Sequence, residues 1–163
     1  MLITLIYASE GLVEGDKDGH QQELIKIGRK AHANNSPVQV TGFLFYFDSR
    51  FVQILEGSFE SVTSLFSKIL YDPRHKNVRI LWVSEINQRA FEDWSMEASM
   101  NFSASNYTKI AIKMRFLKKF VEDKSETGNM LKDLLISVAQ ELQEREDFPS
   151  PASAKIHGAS QSI

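Results

Sequence analysis

Residues 41–57 read TGFLFYFDSRFVQILEG. The run is apolar or aromatic on both sides of Asp48-Ser49-Arg50, where a hairpin turns. Val40 to Phe47 and Phe51 to Glu56 are the two predicted strands. Alternation puts Phe51, Gln53 and Leu55 on one face and Val52 and Ile54 on the other. Both faces are apolar, so the sheet must be covered on both. Gln53 is the one polar side chain deep in the second strand. A buried carboxamide needs partners for its two donors and its acceptor, and what meets Gln53 is the functional question.

Working outward, Ile3 to Ser9 reads as a strand with Ile3, Leu5, Tyr7 and Ser9 on one face. Tyr7 is thus an inward residue whose hydroxyl also wants a partner. Glu10 to Gly19 reads as a loop, and His20 to Ala33 as a helix with Leu24, Ile27, Gly28 and Ala31 on its inner face. Asn34-Asn35-Ser36-Pro37 ends it, and on spacing alone the two asparagines are a cap and a turn. Ser58 caps a second helix reaching about Tyr71, with an inner stripe of Val62, Leu65, Phe66 and Ile69. Asp72-Pro73-Arg74-His75 is its stop, and alone reads as a solvated helix end. Asn77 to Glu85 and Ser95 to Met100 complete the strands.

The order strand–helix–strand–strand–helix–strand–strand predicts an α+β fold, a ferredoxin-like five-stranded mixed sheet with two helices on one face. The opposite face is left to two C-terminal amphipathic helices. Their stripes are Tyr107, Ile110, Ala111, Met114, Leu117, Val121 and Met130, Leu131, Leu134, Leu135, Val138, Leu142. The same stripes also suit self-association. Domain boundaries are set at 1–102 for a ligand-binding domain and 103–147 for a helical extension. Residues 148–163, rich in serine, alanine and proline, are expected to be disordered.

Composition excludes several functions. The 163 residues carry a formal charge of −2, so no basic field draws nucleic acid. No apolar run approaches the ~20 residues of a membrane span, and no signal peptide precedes the first strand, so the expected location is cytoplasmic. There is no cysteine, hence no disulfide, thiolate metal site or cysteine nucleophile. The four histidines are scattered without metal spacing, so no metal site is expected. No phosphate loop and no nucleophile elbow is present. What remains is polar groups aimed into an apolar layer: Tyr7, Ser9, Gln53 and Asn35. Together they suit a flat aromatic ligand with carbonyl and ring-nitrogen edges.

Five segments, in this order and at these separations, resemble the BLUF family of blue-light sensors that use FAD. They are Leu5-Ile6-Tyr7-Ala8-Ser9, Asn34-Asn35 ahead of Val40-Thr41-Gly42, Phe51 to Gly57, Asp72-Pro73-Arg74-His75, and Phe91-Glu92-Asp93-Trp94-Ser95-Met96. The likeness spans about Leu2 to Asn101. It implies a non-covalent flavin (FAD, with FMN or riboflavin possible) held by the two helices. It implies that Tyr7 is the photoactive tyrosine and Gln53 the switch amide between it and the flavin. Asn35, with Asn34 beside it, would hold the pyrimidine edge, and Ile27 and Ile69 would clasp the ring. Asp72, Arg74 and His75 would sit near the ribityl and phosphate end. Trp94 and Met96 would report the light state, and Ser9 would sit near the tyrosine. Departures are a longer loop at Glu10–Gly19 and Gln39 where many members carry a small residue.

The resemblance further implies a photoreceptor without substrate turnover rather than an enzyme. With about sixty residues beyond Met100, the chain is expected to be a short stand-alone member without an effector domain. Its output would be light-dependent binding to itself as a homo-oligomer or to a separate signalling protein. The rival readings are a small flavin-dependent enzyme and a non-photoactive flavin-binding module on the same fold.

Overall fold

The computed structural model describes residues 1–13, 17–92, 95–99, 108–123 and 128–143. The hairpin is β2 (Thr41–Phe47) and β3 (Arg50–Ser58). They are joined by Asp48 and Ser49, both at positive φ, the twist that a two-residue hairpin turn requires. β3 pairs on its other side with β1 (Leu2–Gly11), which pairs in turn with β4 (His75–Ile86), all antiparallel. A short β5 (Ser95–Ser99) runs parallel to β2 at the far edge.

The first helix, α1, spans Lys17–Asn35, so it begins before His20 and runs through both asparagines. The expected turn at Asn34-Asn35 is replaced by a 3₁₀ turn at Ser36–Val38, and the left-handed residue is Gln39, at φ 54°. Proline at the start of that turn needs no N–H, so the chain tightens after Asn35 instead of breaking there. The second helix, α2 (Phe59–Leu70), is capped by Ser58, whose Oγ accepts from the Ser61 N–H at 3.0 Å. β4 begins two residues earlier than its apolar pattern suggests, at His75.

Two apolar layers flank the sheet, as the two-faced strands require. On one face Ile3, Leu5, Leu44 and Leu55 meet Leu24 and Ile27 of α1 and Val62, Leu65 and Phe66 of α2. On the other, Ile6, Phe43, Phe45, Val52 and Ile54 meet α3 (Thr108–Asp123) and α4 (Gly128–Gln143). The three phenylalanines of β2 are therefore buried under helices and offer no exposed platform for bases. Ile110, Leu117 and Val121 of α3 and Leu131, Leu135, Val138 and Leu142 of α4 carry the contact. Met130 differs from expectation: it is exposed, and Ala139 is buried in the seam instead. Tyr107 and residues 148–163 lie outside the described residues.

The helical layer is tied to the sheet by polar contacts at one end. Lys118 pairs with Asp48 at 2.8 Å, Arg50 with Glu122 at 3.0 Å, and the Arg79 guanidinium donates to the Val121 carbonyl. Exposed ion pairs of this type contribute little to stability. Among the described residues no helix is long and apolar enough to cross a membrane.

Candidate functional site

Tyr7 and Gln53 are directly opposite each other in the β1–β3 ladder. Both side chains point to the α1/α2 face and both are buried. The Tyr7 hydroxyl donates to Gln53 Oε1. With its oxygen turned to the phenol, the carboxamide turns its nitrogen the other way. Leu44 of β2 is the next residue along the row, opposite Gln53 on its far side.

Above this row, between α1 and α2, lies a cavity of about 610 Å³, within the range of small-molecule and cofactor sites. Tyr7, Leu44, Phe51 and Gln53 form its floor, Ile27 lines it from α1 and Ile69 from α2. Asn34 and Asn35 close the α1 end. Asn35 is buried, and its Nδ2 has no hydrogen-bond partner. A buried amide nitrogen left without an acceptor is costly unless a ligand supplies one. Asp72, Arg74 and His75 line the same cavity.

That polar cluster is ordered by its own contacts. Arg74 grips Asp72 with its guanidinium, Nε lying 2.8 Å from Oδ1, and its backbone N–H donates to the same oxygen at 3.0 Å. His75 lies 2.8 Å from the Ile69 carbonyl through Nε2 and 2.7 Å from Ser9 Oγ through Nδ1. A carbonyl only accepts, so Nε2 carries a hydrogen, and Nδ1 and Ser9 Oγ share the second bond. A bulge makes this possible. Opposite Ser9 the β1–β4 register shifts, and Asn77 sits at φ 54°. Such an extra residue re-aims neighbouring side chains, and here it brings the His75 ring to 6.3 Å from that of Tyr7.

Burial drives the Tyr7 phenol well above its ordinary pKa; the Asp72 charge adds to this and Arg74 opposes it. The phenol is therefore fully protonated at any physiological pH. Asp72 moves the other way, to about 2, chiefly because it accepts the Arg74 guanidinium hydrogen bonds. Since its folded pKa lies below the ordinary 3.8, the pair stabilises the fold above pH ~4 and loses that contribution as pH falls towards 2. Asp72→Asn should therefore show a smaller loss of urea stability than the parent between pH 5 and pH 3. Equal losses in the two proteins would refute the linkage.

Of the residues singled out in the sequence, Tyr7, Gln53, Asn34, Asn35, Ile27, Ile69, Asp72, Arg74 and His75 all line the one cavity. Ser9 stands behind His75 rather than in the lining. Trp94 and the side chain of Met96 lie outside the described residues. Sequence reasoning missed Lys30, Ser61, Ser64 and Lys68, which form the polar rim. The α2 members of that set recur at helical spacing beside the apolar stripe, a signal visible once the face next to the core is drawn.

The sequence model of the family described as "BLUF: Sensors of blue-light using FAD" matches residues 2–97. Photoactivated adenylate cyclase subunit beta of Euglena gracilis is 34% identical over 95 residues, 58% of this chain and 11% of that protein. The chain thus spans about a tenth of that relative's length. Among solved structures, the photo-activated state of BlsA superposes with a TM-score of 0.67 at 29% identity, covering 85% of this chain and 94% of that one. The dark state of BlrB, a BLUF protein, gives 0.65 at 26% identity, covering 86% and 96%.

Proposed function

Because the chain belongs to the BLUF family and is a blue-light photoreceptor using FAD, we propose that it senses light by rearranging the Tyr7–Gln53 hydrogen bond. One observation carries the reading: a buried phenol donates to a buried carboxamide at the floor of a cofactor-sized cavity whose far end holds an unpartnered asparagine amide.

The residues present suit a flavin. Asn35, with Asn34 beside it, would meet the pyrimidine edge, supplying a donor where that edge offers carbonyl oxygens. Ile27 and Ile69 would clasp the ring faces from the two helices. Asp72, Arg74 and His75 would meet the polar chain, and FMN or riboflavin would satisfy the ring contacts as well as FAD. When bound, the flavin absorbs blue light and becomes a strong one-electron oxidant of a neighbouring phenol. Tyr7 is the donor of that electron. Its proton leaves along the bond already made to Gln53 Oε1 and returns when the electron does. Gln53 can accept on one side while donating on the other, and on return can settle rotated or as its tautomer. No substrate is consumed, so the cycle is signalling and not turnover.

The two states differ by a few hydrogen bonds, each worth on the order of 1 kcal/mol net. That biases a bistable element without unfolding anything. The element we favour is the β5 edge, with Trp94 and Met96, working as the fifth strand of the sheet. What supports this is that Ala98 of β5 pairs with Leu44, which pairs with Gln53, which pairs with Tyr7. On this reading residues 1–102 sense and residues 103–147 transmit, by self-association or by docking a separate protein. The likeness to the cyclase subunit is confined to a tenth of that protein, and cyclase activity is no part of the proposal.

The deciding experiment is a dark and an illuminated absorption spectrum of the purified, flavin-loaded protein. A small reversible red shift is expected, and Gln53→Leu should abolish it while retaining colour. Identical spectra before and after illumination, or a normal photocycle in Gln53→Leu, would sink the mechanism.

A further inference from the structure

Glu56 takes no part in the cavity. It lies on the opposite face of β3 from Gln53, about 10 Å along the strand, and is completely buried. Its Oε2 accepts from the backbone N–H groups of Ala90 at 2.8 Å and Phe91 at 3.1 Å. Its main-chain carbonyl accepts from Arg89 at 2.8 Å, and the same guanidinium reaches Thr41 Oγ1 at 3.0 Å. One residue of β3 therefore grips three consecutive residues of the segment that leaves β4 and leads to β5.

The grip is one-sided. Glu56 Oε1 is buried without a hydrogen-bond partner, and so is the hydroxyl of Thr4, the residue opposite Glu56 on β1. An apolar residue in this position would leave two N–H groups orphaned but spare a carboxyl from burial. Burial raises the proton affinity of Glu56, and the two N–H bonds lower it, followed by the charges of Lys132 on α4 and of Arg89. A buried carboxyl held by two amides, with one oxygen unsatisfied, is expensive as a mere filler. Its partners lie in the elements that connect the sheet to its far edge.

We infer that Glu56 is a positioning residue for the light response: it clamps residues 89–91 to β3, so that a shift of β3 at Gln53 is passed on to the chain entering β5. The inference rests on the reading of Tyr7 and Gln53 as the light-responsive pair. The two residues share a strand but face opposite layers, so Glu56 can transmit without touching the flavin.

The test uses the full chain with flavin bound, comparing wild type, Glu56→Gln and Glu56→Ala. Each is followed by its visible spectrum and by the amide ¹⁵N resonances of Ala90 and Phe91 in dark and light. Glutamine keeps an oxygen for both N–H groups, so Glu56→Gln should retain light-dependent changes at both amides. Glu56→Ala should retain the red shift, lose the amide changes and return to the dark state at a rate altered threefold or more. Dark and lit amide resonances that coincide in the wild type overturn the clamp even if Glu56→Ala does not fold. Recovery in Glu56→Ala within a factor of 1.5 of wild type, with its amide changes intact, overturns it as well. A wild type with no red shift is a separate result, read in the visible spectrum, and removes the underlying reading together with this one.

Discussion

Tyr7→Phe is expected to leave the protein yellow and blind. The ring is 3% exposed and packs against Phe66 at a centroid distance of 5.4 Å, so removing one oxygen disturbs little of its packing. The loss is chemical. Gln53 Oε1 gives up the hydroxyl that donates to it, at a cost of about 1–2 kcal/mol, which a fold stable by 5–15 kcal/mol tolerates. Flavin should be retained, because the other lining residues are untouched. The light-induced shift should vanish, because phenylalanine has neither an accessible oxidation nor a proton to send along the strand pair. The direction of the Tyr7 pKa sharpens this. Burial keeps the phenol protonated in the dark, so its proton can depart only together with an electron, and alkaline buffer up to pH 9 should not mimic light. The measurement is the light-minus-dark spectrum of the flavin-loaded variant. A full-sized shift in Tyr7→Phe would show that another donor drives the response.

The parts of this molecule legible in its sequence are those governed by local pattern. Strands apolar on both faces demand two covering layers, and α1 and α2 on one side with α3 and α4 on the other supply them. Ser58 announces its helix because a cap is a contact three residues long. The inward aim of Tyr7 and Gln53 follows from period two alone, and their opposition in the ladder follows from the register. What escaped the reading depends on distant partners. His75 reads as a helix stop, yet it is the first residue of β4, and its ring meets Ser9, 66 residues away, through a bulge that no local pattern announces. Gln39 takes the left-handed position that asparagine was expected to fill, because the helix runs on to Asn35 and the 3₁₀ turn moves the corner downstream. Glu56 is simply the last residue of the predicted second strand, and nothing in the local pattern marks it for burial. Only the return of the chain 34 and 35 residues later, offering two N–H groups, explains its complete burial.

Gly42→Ala should cost more stability than any other single-methyl change argued from this fold. Gly42 lies within β2 at φ 148°, a conformation that residues with a side chain rarely adopt. A Cβ built there falls far inside van der Waals contact with the Ile54 carbonyl oxygen, 2.9 Å from its carbon and 3.3 Å from Leu55 Cα. All three atoms belong to backbone of the partner strand, which cannot swing aside as a side chain would. Backbone strain of this type costs about 1–3 kcal/mol, and overpacking about the same again. For a chain of this size each kcal/mol lowers Tm by about 2–4 °C, so a drop on the order of 10 °C is expected. The damage is also placed where it bears on function. Ile54 follows Gln53, and Gly42 is paired with both Leu55 and Ser95, so parting β2 from β3 moves the carboxamide and the β5 edge together. Flavin content per purified protein should fall in step with Tm. A Gly42→Ala protein that melts within 2 °C of the parent with full flavin occupancy would mean that the β2–β3 pair can open at this point without cost. The close approach of the Ile54 carbonyl to Gly42 would then be no constraint on the residue at this position.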